Sequence, residues 1–189
     1  MKSSLFNMIA VLSVVSVCSA VSIGYVFELT KEPIADAKKA KTNDAIKAMV
    51  KNFDNNPLEE KTEIGEDGVV LYPAREEGNI TSVAVETSSN QGFGGKIELI
   101  MGILMDGTVT GYKITQQNET PGLGSKVTEQ NFSRQFVGLN THNDNFSLKK
   151  DGGEIDAVTG ATISSRAVVD AVKKAVEAYN KFAGAISHE

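Results

Sequence analysis

Three glycine-rich segments carry the polar side chains on which any chemistry of this chain would depend. They span residues 92–95, 119–124 and 156–162. Glycine lets the backbone turn tightly or approach a ligand closely. Familiar nucleotide-binding patterns do not match, since Gly122-Leu123-Gly124 lacks the third glycine of a dinucleotide fingerprint and Gly95-Lys96 lacks the glycine and hydroxyl residue of a phosphate loop. The first two segments are therefore compatible with ordinary turns as well as with a site.

The third segment concentrates hydroxyl groups where the last predicted helix begins. The segment itself contains Thr159 and Thr162, and Ser164 and Ser165 follow shortly after it. Unpaired backbone N–H groups and the helix dipole favour a phosphate at such a position. The small residues Gly160 and Ala161 leave room for a bulky group beside the backbone. Helix capping by Ser or Thr explains the same pattern, and the residues alone do not separate the two interpretations.

Composition excludes several other classes of function. The net charge of -5 argues against a nucleic-acid partner. Cys18 is the single cysteine, so no intrachain disulfide forms, and neither His142 nor His188 has neighbours at metal-ligand spacing. No metal site is expected. No nucleophile elbow or Ser/His/Asp set is evident either, so no catalytic residue is assigned.

The strands and helices predicted around the three segments indicate an α+β fold, in which helices pack on an antiparallel sheet. Alternation and apolar runs predict strands over residues 69–72, 80–85, 96–105 and 108–115. The third of these strands is apolar on both faces, which indicates a position inside the sheet. Apolar residues at helical spacing predict helices over residues 34–53, 131–137 and 166–182, the first of them beginning after Pro33.

An apolar run at the N-terminus predicts a membrane anchor. No residue from Leu5 to Phe27 is charged, and as a helix this run would reach about 34 Å, enough for a hydrocarbon core of about 30 Å. One alternative is a signal peptide cleaved after Ala20, but the apolar run continues past this point. The other is a lipoprotein anchor at Cys18, but Val17 stands where lipoprotein signals usually have a small residue. Lys2 precedes the run, which favours a cytoplasmic N-terminus and an extracytoplasmic domain. The expected division is an anchor over 1–29, a stalk or first helix over 30–56 and a domain over 57–189.

The third segment resembles a known flavin-attachment motif. Residues 156–162, Asp-Ala-Val-Thr-Gly-Ala-Thr, are similar to the sequence Asp-x-x-Ser/Thr-Gly-Ala-Thr of covalent FMN-binding domains. That family includes the G-type subunit of the Rnf ion-translocating electron-transport complex and the C-type subunit of the Na+-pumping NADH:quinone reductase. Segments 92–95, 119–124 and 132–138, and the order of anchor, sheet and terminal helix, also resemble the Rnf G-type subunit. One departure is Gln117, where the family pattern leads us to expect histidine.

The resemblance implies an FMN esterified through its phosphate to Thr162 by a flavin transferase that uses FAD. It further implies an inner-membrane electron-relay subunit in a complex that couples ferredoxin and NAD chemistry to ion translocation, with multi-span and iron–sulfur subunits and membrane lipid as partners. The residues expected to bind or present the flavin are Glu119, Thr120, Gly122, Leu123, Gly124, Asp156, Thr159, Gly160, Ala161, Thr162 and Ser164. Two other functions remain open: an extracytoplasmic flavin reductase built on the same domain, and a non-redox anchored binding module in which Thr162 is only a helix cap.

Overall fold

The computed structural model describes residues 2–65 and 68–186, with side chains from residue 5 onward. His188 lies outside the described residues, and so does the side chain of Lys2. Contacts between residues divide the chain into two units, residues 1–41 and 42–189.

The first unit consists of a long helix with an apolar surface. Helix α1 (Lys2–Met49) begins here and ends in the second unit. Its large apolar side chains between Leu5 and Leu29 are exposed. Among the described residues it is the one helix long and apolar enough to cross a membrane. The predicted helix start at Pro33 is wrong, because Pro33 lies inside α1; the long helical segments on both sides outweigh the lost hydrogen bond and the ring clash that proline brings to a helix interior.

The second unit is built on a five-stranded antiparallel meander. Its strands are β1 (Thr62–Ile64), β2 (Val69–Glu76), β3 (Asn79–Gly92), β4 (Gly95–Leu104) and β5 (Val109–Gln116), in that order across the sheet. Strand β4 pairs with a neighbour on both edges, as its apolar sequence predicted. The β4–β5 turn at Asp106 and Gly107 was also predicted, and Gly107 has a φ of +85° there. The α+β class is confirmed.

Helices cover the two faces of this sheet. Helix α3 (Thr162–Ile186) packs on one face, where it forms the larger core with the inward side chains of β2 to β5. The last turns of α1 and the residue that follows the helix pack on the other face through Ala45, Ile46 and Val50. Buried polar contacts fix α3, since the Thr87 hydroxyl donates to the Ala171 carbonyl at 2.9 Å.

The connection between β5 and α3 carries the remaining short helices. Helix α2 (Gln130–Ser133) lies between two 3-10 helices, Gly124–Thr128 and Arg134–Phe136, and a third 3-10 helix covers Lys149–Asp151. The Tyr112 ring of β5 packs edge-on against Phe136, with centroids 5.2 Å apart, and its hydroxyl donates to the Val127 carbonyl at 2.7 Å. These contacts hold the connection against the sheet edge, close to the start of α3.

Candidate functional site

The three glycine-rich segments meet at one cleft of about 340 Å³. This volume lies within the range of small-molecule sites. Its lining residues are Phe93, Glu119, Thr120, Leu123, Gly124, Gly160, Ala161, Thr162, Ile163 and Ser164. Each segment contributes at least one wall, although the segments are far apart in sequence.

The first segment forms the tip of the β3–β4 hairpin. Gly92 pairs with Gly95, so Phe93 and Gly94 make the turn. A Cβ on Gly94 would lie 1.9 Å from the Asn118 carbonyl oxygen, so the tip can rest on the second segment only because residue 94 is glycine. Phe93 is left 71% exposed at the rim of the cleft.

The second segment leaves β5 and folds into a tight turn. The Gln117 side-chain oxygen accepts the Glu119 backbone N–H at 2.5 Å. The Thr120 carbonyl then accepts the backbone N–H groups of Leu123 and Ser125, each at 3.2 Å. Leu123 is 45% exposed and contributes an apolar side chain to the cleft.

Glu119 lies at the junction of all three segments. Its side chain is only 5% exposed. Oε1 accepts the Gly94 backbone N–H at 3.0 Å, and Oε2 accepts the Ser164 hydroxyl at 2.5 Å. A Cβ on Gly124 would lie 2.6 Å from Oε2, so the second segment closes over the carboxylate without space to spare.

The third segment turns at Gly160 and starts α3. Gly160 has a φ of +79°, and a Cβ there would lie 3.0 Å from Leu123 Cδ1, so the second and third segments are in contact. The Ser165 hydroxyl donates to the Ala161 carbonyl at 2.9 Å and accepts the Val158 N–H at 3.0 Å, which ties the turn to the first turn of the helix.

The four hydroxyl residues of this region have different environments. Ser164 and Ser165 are buried, and their hydroxyls are bonded to Glu119 and to backbone. Thr159 is exposed and does not line the cleft. Thr162 is half-buried, lines the cleft, and has no hydrogen-bond partner for its hydroxyl in the described part of the chain. Among the hydroxyls of the third segment it is therefore the one left available at the cleft, while Thr120 of the second segment also lines the cleft with a hydroxyl that has no partner in the described part of the chain.

Two features of α3 favour an anion at the helix start, and the nearby Glu119 carboxylate works against them. The backbone N–H groups of residues 162–164 open α3 and have no acceptor in the preceding turn. The first turn carries no acidic side chain that would compete for them. The helix dipole adds to the attraction for a phosphate at this position.

Three of the predicted site residues do not line the cleft. The Asp156 carboxylate, 65% exposed, pairs with Lys149 Nζ at 2.7 Å. Thr159 faces solvent, and Gly122 lies on the outer side of its turn with a φ of +73° and no heavy atom within 4 Å of an added Cβ. The predictions for these residues stay predictions, and any role of theirs is at the entrance or outside the cleft.

Two lining residues were not assigned from the sequence. Phe93 and Ile163 contribute large apolar side chains that are 71% and 49% exposed. An aromatic residue between glycines at a hairpin tip is the one signal that the sequence offered for Phe93. Ile163 follows the motif and gave no signal, because one exposed apolar residue in a helix is common. Elsewhere in the described chain, no group of three or more His, Cys, Asp or Glu side chains is placed to hold a metal.

Comparisons with known proteins agree with this architecture. The sequence profile of the FMN-binding domain family matches residues 92–177, which include all three segments. The G-type subunit of the ion-translocating oxidoreductase complex of Vibrio cholerae is 35% identical over 185 residues, 89% of this chain and 88% of the relative. The corresponding subunit of Haemophilus influenzae is 36% identical over 169 residues, 83% of this chain and 81% of the relative.

Solved structures share the fold. Shewanella oneidensis NqrC superimposes with a TM-score of 0.52 at 21% identity, over 68% of this chain and 70% of the other. The C-type subunit of the Na(+)-translocating NADH-quinone reductase of Parabacteroides distasonis gives a TM-score of 0.51 at 20% identity, over 77% and 81%.

Proposed function

Because the chain belongs to the family of G-type subunits of the ion-translocating oxidoreductase complex, we propose that it is an electron-relay subunit whose FMN is bound covalently to Thr162. It is a single-pass membrane protein, anchored by the apolar part of α1. The observation that carries the proposal is the environment of Thr162: it lines the cleft, stands at the start of α3, and offers a hydroxyl with no partner among the described residues.

The cleft fits the two chemically different ends of FMN. The opening backbone N–H groups of α3 suit the phosphate. Apolar side chains at the rim, Phe93, Leu123 and Ile163, suit a planar aromatic ring. Gly160 and Ala161 keep the backbone beside Thr162 free of bulk.

Attachment is a phosphoryl-group transfer to Thr162. With FAD as donor, a bond forms between Thr162 Oγ1 and the phosphorus of the FMN part, the P–O bond of the pyrophosphate breaks, and AMP leaves. The hydroxyl proton is released to a base of the flavin transferase. The chain's own contribution is to present Thr162 with the help of the motif residues Asp156 and Gly160, both of which are exposed.

Covalent attachment answers a physical need outside the cytoplasm. FMN has about 31 non-hydrogen atoms, and at about -0.3 kcal/mol each its non-covalent binding would reach roughly -9 kcal/mol, a sub-micromolar dissociation constant. Flavin that dissociates outside the membrane is diluted and lost. An ester at Thr162 removes dissociation and keeps the effective concentration at the cleft high.

The residues of the cleft suit electron relay better than substrate turnover. Bound FMN supplies one- and two-electron transfer chemistry. Among the described residues that line the cleft, Glu119 is the only one with an acid-base side chain, and both of its oxygens are held by hydrogen bonds. The chain therefore binds and orients the flavin, while electrons arrive from and leave to other subunits, including iron–sulfur subunits of an Rnf-type complex that couples ferredoxin and NAD chemistry to ion transport.

The proposal is tested by purifying the full chain from membranes after coexpression with a flavin transferase. We expect a yellow protein whose flavin stays on the polypeptide after denaturation and is reduced reversibly in a redox titration. A colourless protein, or flavin that is released on denaturation, would contradict it.

The side of the membrane is tested separately. Protease added to intact spheroplasts should digest the residues of the second unit, because the proposal places them on the extracytoplasmic side. Full protection would reverse the orientation.

A further inference from the structure

Glu119 is a buried acidic residue that the electron-relay proposal uses only as part of the lining of the flavin site. Both of its oxygens accept hydrogen bonds, from the Gly94 N–H and from the Ser164 hydroxyl. Acceptance at both oxygens is the pattern of an ionised carboxylate. One charged group thus joins the hairpin tip of the first segment to the first turn of α3.

The carboxylate occupies space that glycine leaves open on two sides. A Cβ on Gly92 would lie 2.6 Å from Oε1, and a Cβ on Gly124 would lie 2.6 Å from Oε2. Either contact would force the side chain to move. Glycine at 92 and 124 therefore leaves the carboxylate its present position, in addition to serving the turns in which these residues occur.

The backbone of Glu119 is held as well. Gln117 accepts the Glu119 N–H through its side-chain oxygen at 2.5 Å. Since the two residues are separated by only one position, this bond fixes the direction in which the chain leaves β5 and aims the Glu119 side chain into the protein.

We propose that Glu119 is a positioning residue that locks the two walls of the cleft together and places a fixed negative charge beside the flavin. The inference rests on the proposed function for its effect on the flavin, but the lock itself is a property of the polypeptide. Through Ser164, the lock sets where the start of α3 presents Thr162. Through Gly94, it sets where Phe93 stands at the rim.

The charge has a consequence that a purely structural residue would not have. Reduction adds negative charge to a flavin, so a neighbouring carboxylate in a site with little water makes reduction less favourable. Replacing Glu119 by glutamine keeps the shape and both contacts, since the amide oxygen can accept from Gly94 and the amide N–H₂ can donate to the Ser164 oxygen. It removes the charge and reverses the donor and acceptor of the Ser164 bond, while both contacts stay in place.

The first experiment measures the flavin potential in the full chain matured with a flavin transferase. Glu119→Gln should keep covalent flavin and raise the reduction potential of the flavin by at least about 30 mV. This shift corresponds to a tenfold change in the equilibrium constant for two-electron reduction. Glu129→Gln is the matched control, because Glu129 is exposed, does not line the cleft and changes the net charge equally. It should leave the potential unchanged. Equal potentials in the parent and Glu119→Gln would overturn the charge part of the inference.

The second experiment measures amide hydrogen exchange in the full chain made without the transferase. Glu119→Ala should accelerate exchange at least tenfold at residues 92–95 and 162–165, and Glu119→Gln should stay within about threefold of the parent. Ser164→Ala breaks one of the two contacts, so it should accelerate exchange at 162–165 and not at 92–95.

The two experiments separate failure of the inference from failure of the proposed function. A parent chain that never acquires covalent flavin would contradict the proposed function, and the exchange data would still confirm or overturn the lock. Unchanged exchange in both segments of Glu119→Ala would overturn the lock even in a fully flavinylated protein. If Glu119→Ala does not fold, Ser164→Ala decides the lock: faster exchange limited to 162–165 supports it, and no change overturns it.

Discussion

Gly124 is the position where one added methyl group should disturb the cleft most selectively. In Gly124→Ala the new Cβ would lie 2.6 Å from Glu119 Oε2, 2.7 Å from Ser164 Oγ and 2.9 Å from Glu119 Cβ. Ordinary contacts begin at 3.4 Å, so the second segment must shift by about 0.8 Å or the carboxylate must leave Ser164. Overpacking of this kind lowers the free energy of unfolding by about 1–3 kcal/mol. Loss of the hydrogen bond between Ser164 and the charged Glu119 would lower it by a similar amount.

Gly152→Ala is the matched control for Gly124→Ala. Its Cβ meets no heavy atom within 4 Å, but its φ of +85° is unfavourable for alanine. The backbone strain costs about 1–2 kcal/mol. The two variants should therefore lose similar stability for different reasons, and only Gly124→Ala should alter the cleft.

Thermal unfolding and flavin incorporation together distinguish the two variants. Both should lower the melting temperature, by about 2–4 °C for each kcal/mol in a domain of this size. Gly124→Ala alone should lower the fraction of chains that carry covalent flavin after coexpression with a flavin transferase. The reasoning would be refuted if Gly124→Ala incorporated flavin as completely as Gly152→Ala at equal stability.

Three further predictions concern contacts around the cleft. Tyr112→Phe should cost about 1–2 kcal/mol of unfolding free energy, measured by chemical denaturation, because the buried Val127 carbonyl loses its donor; no loss would contradict this. Asp156→Asn should reduce flavin attachment in a mass assay without lowering the melting temperature, since its carboxylate is largely exposed; full attachment would argue against a role in maturation. The Arg166 guanidinium hydrogen-bonds Asp151 and lowers the pKa of that carboxyl. The ion pair therefore stabilises the fold at pH values above the ordinary pKa of 3.8 and loses its effect as the pH falls below it. NMR titration should show the Asp151 pKa rising in Arg166→Gln, and an unchanged pKa would exclude the pairing.

Local patterns predicted the elements whose signal is contained in a few neighbouring residues. The β4–β5 hairpin follows from an apolar run, Asp106-Gly107 and a second alternating run, and the structure has strands at 95–104 and 109–116. Strand β3 was predicted to end near residue 85, but it continues to Gly92. Its polar second half resembles a loop because the sequence does not reveal that Thr87 bonds to the Ala171 carbonyl of α3.

The boundaries of the helices depended on contacts that are not local. Helix α3 was predicted from Arg166 and begins at Thr162, because Ser165 holds the preceding turn through the Val158 N–H. Pro33 was predicted to start a helix, yet it lies within α1. Proline at a first helical position is a preference, and a long helix on either side overrides it.

The cleft was predictable as a set of segments but not as an arrangement. The sequence singled out all three glycine-rich segments, and the structure brings them to one cleft. That Glu119 would bond to Ser164, 45 positions away, has no local signature. The same holds for Gly94, because a side chain at this position would collide with Asn118, a residue outside its own turn.

The identity of the flavin-bearing residue is tested most directly by intact-mass analysis of Thr162→Ala. The full chain is coexpressed with a flavin transferase, and Thr159→Ala, at an exposed hydroxyl outside the cleft, serves as control. The parent and the control should each gain about 438 Da, the mass of FMN less one water. Thr162→Ala should lose this adduct. Its free energy of unfolding should stay within about 0.5 kcal/mol of the parent value, because the Thr162 hydroxyl makes no hydrogen bond to the described residues. An adduct that persists in Thr162→Ala, or that maps to Thr159, Ser164 or Ser165 in the parent, would contradict the account.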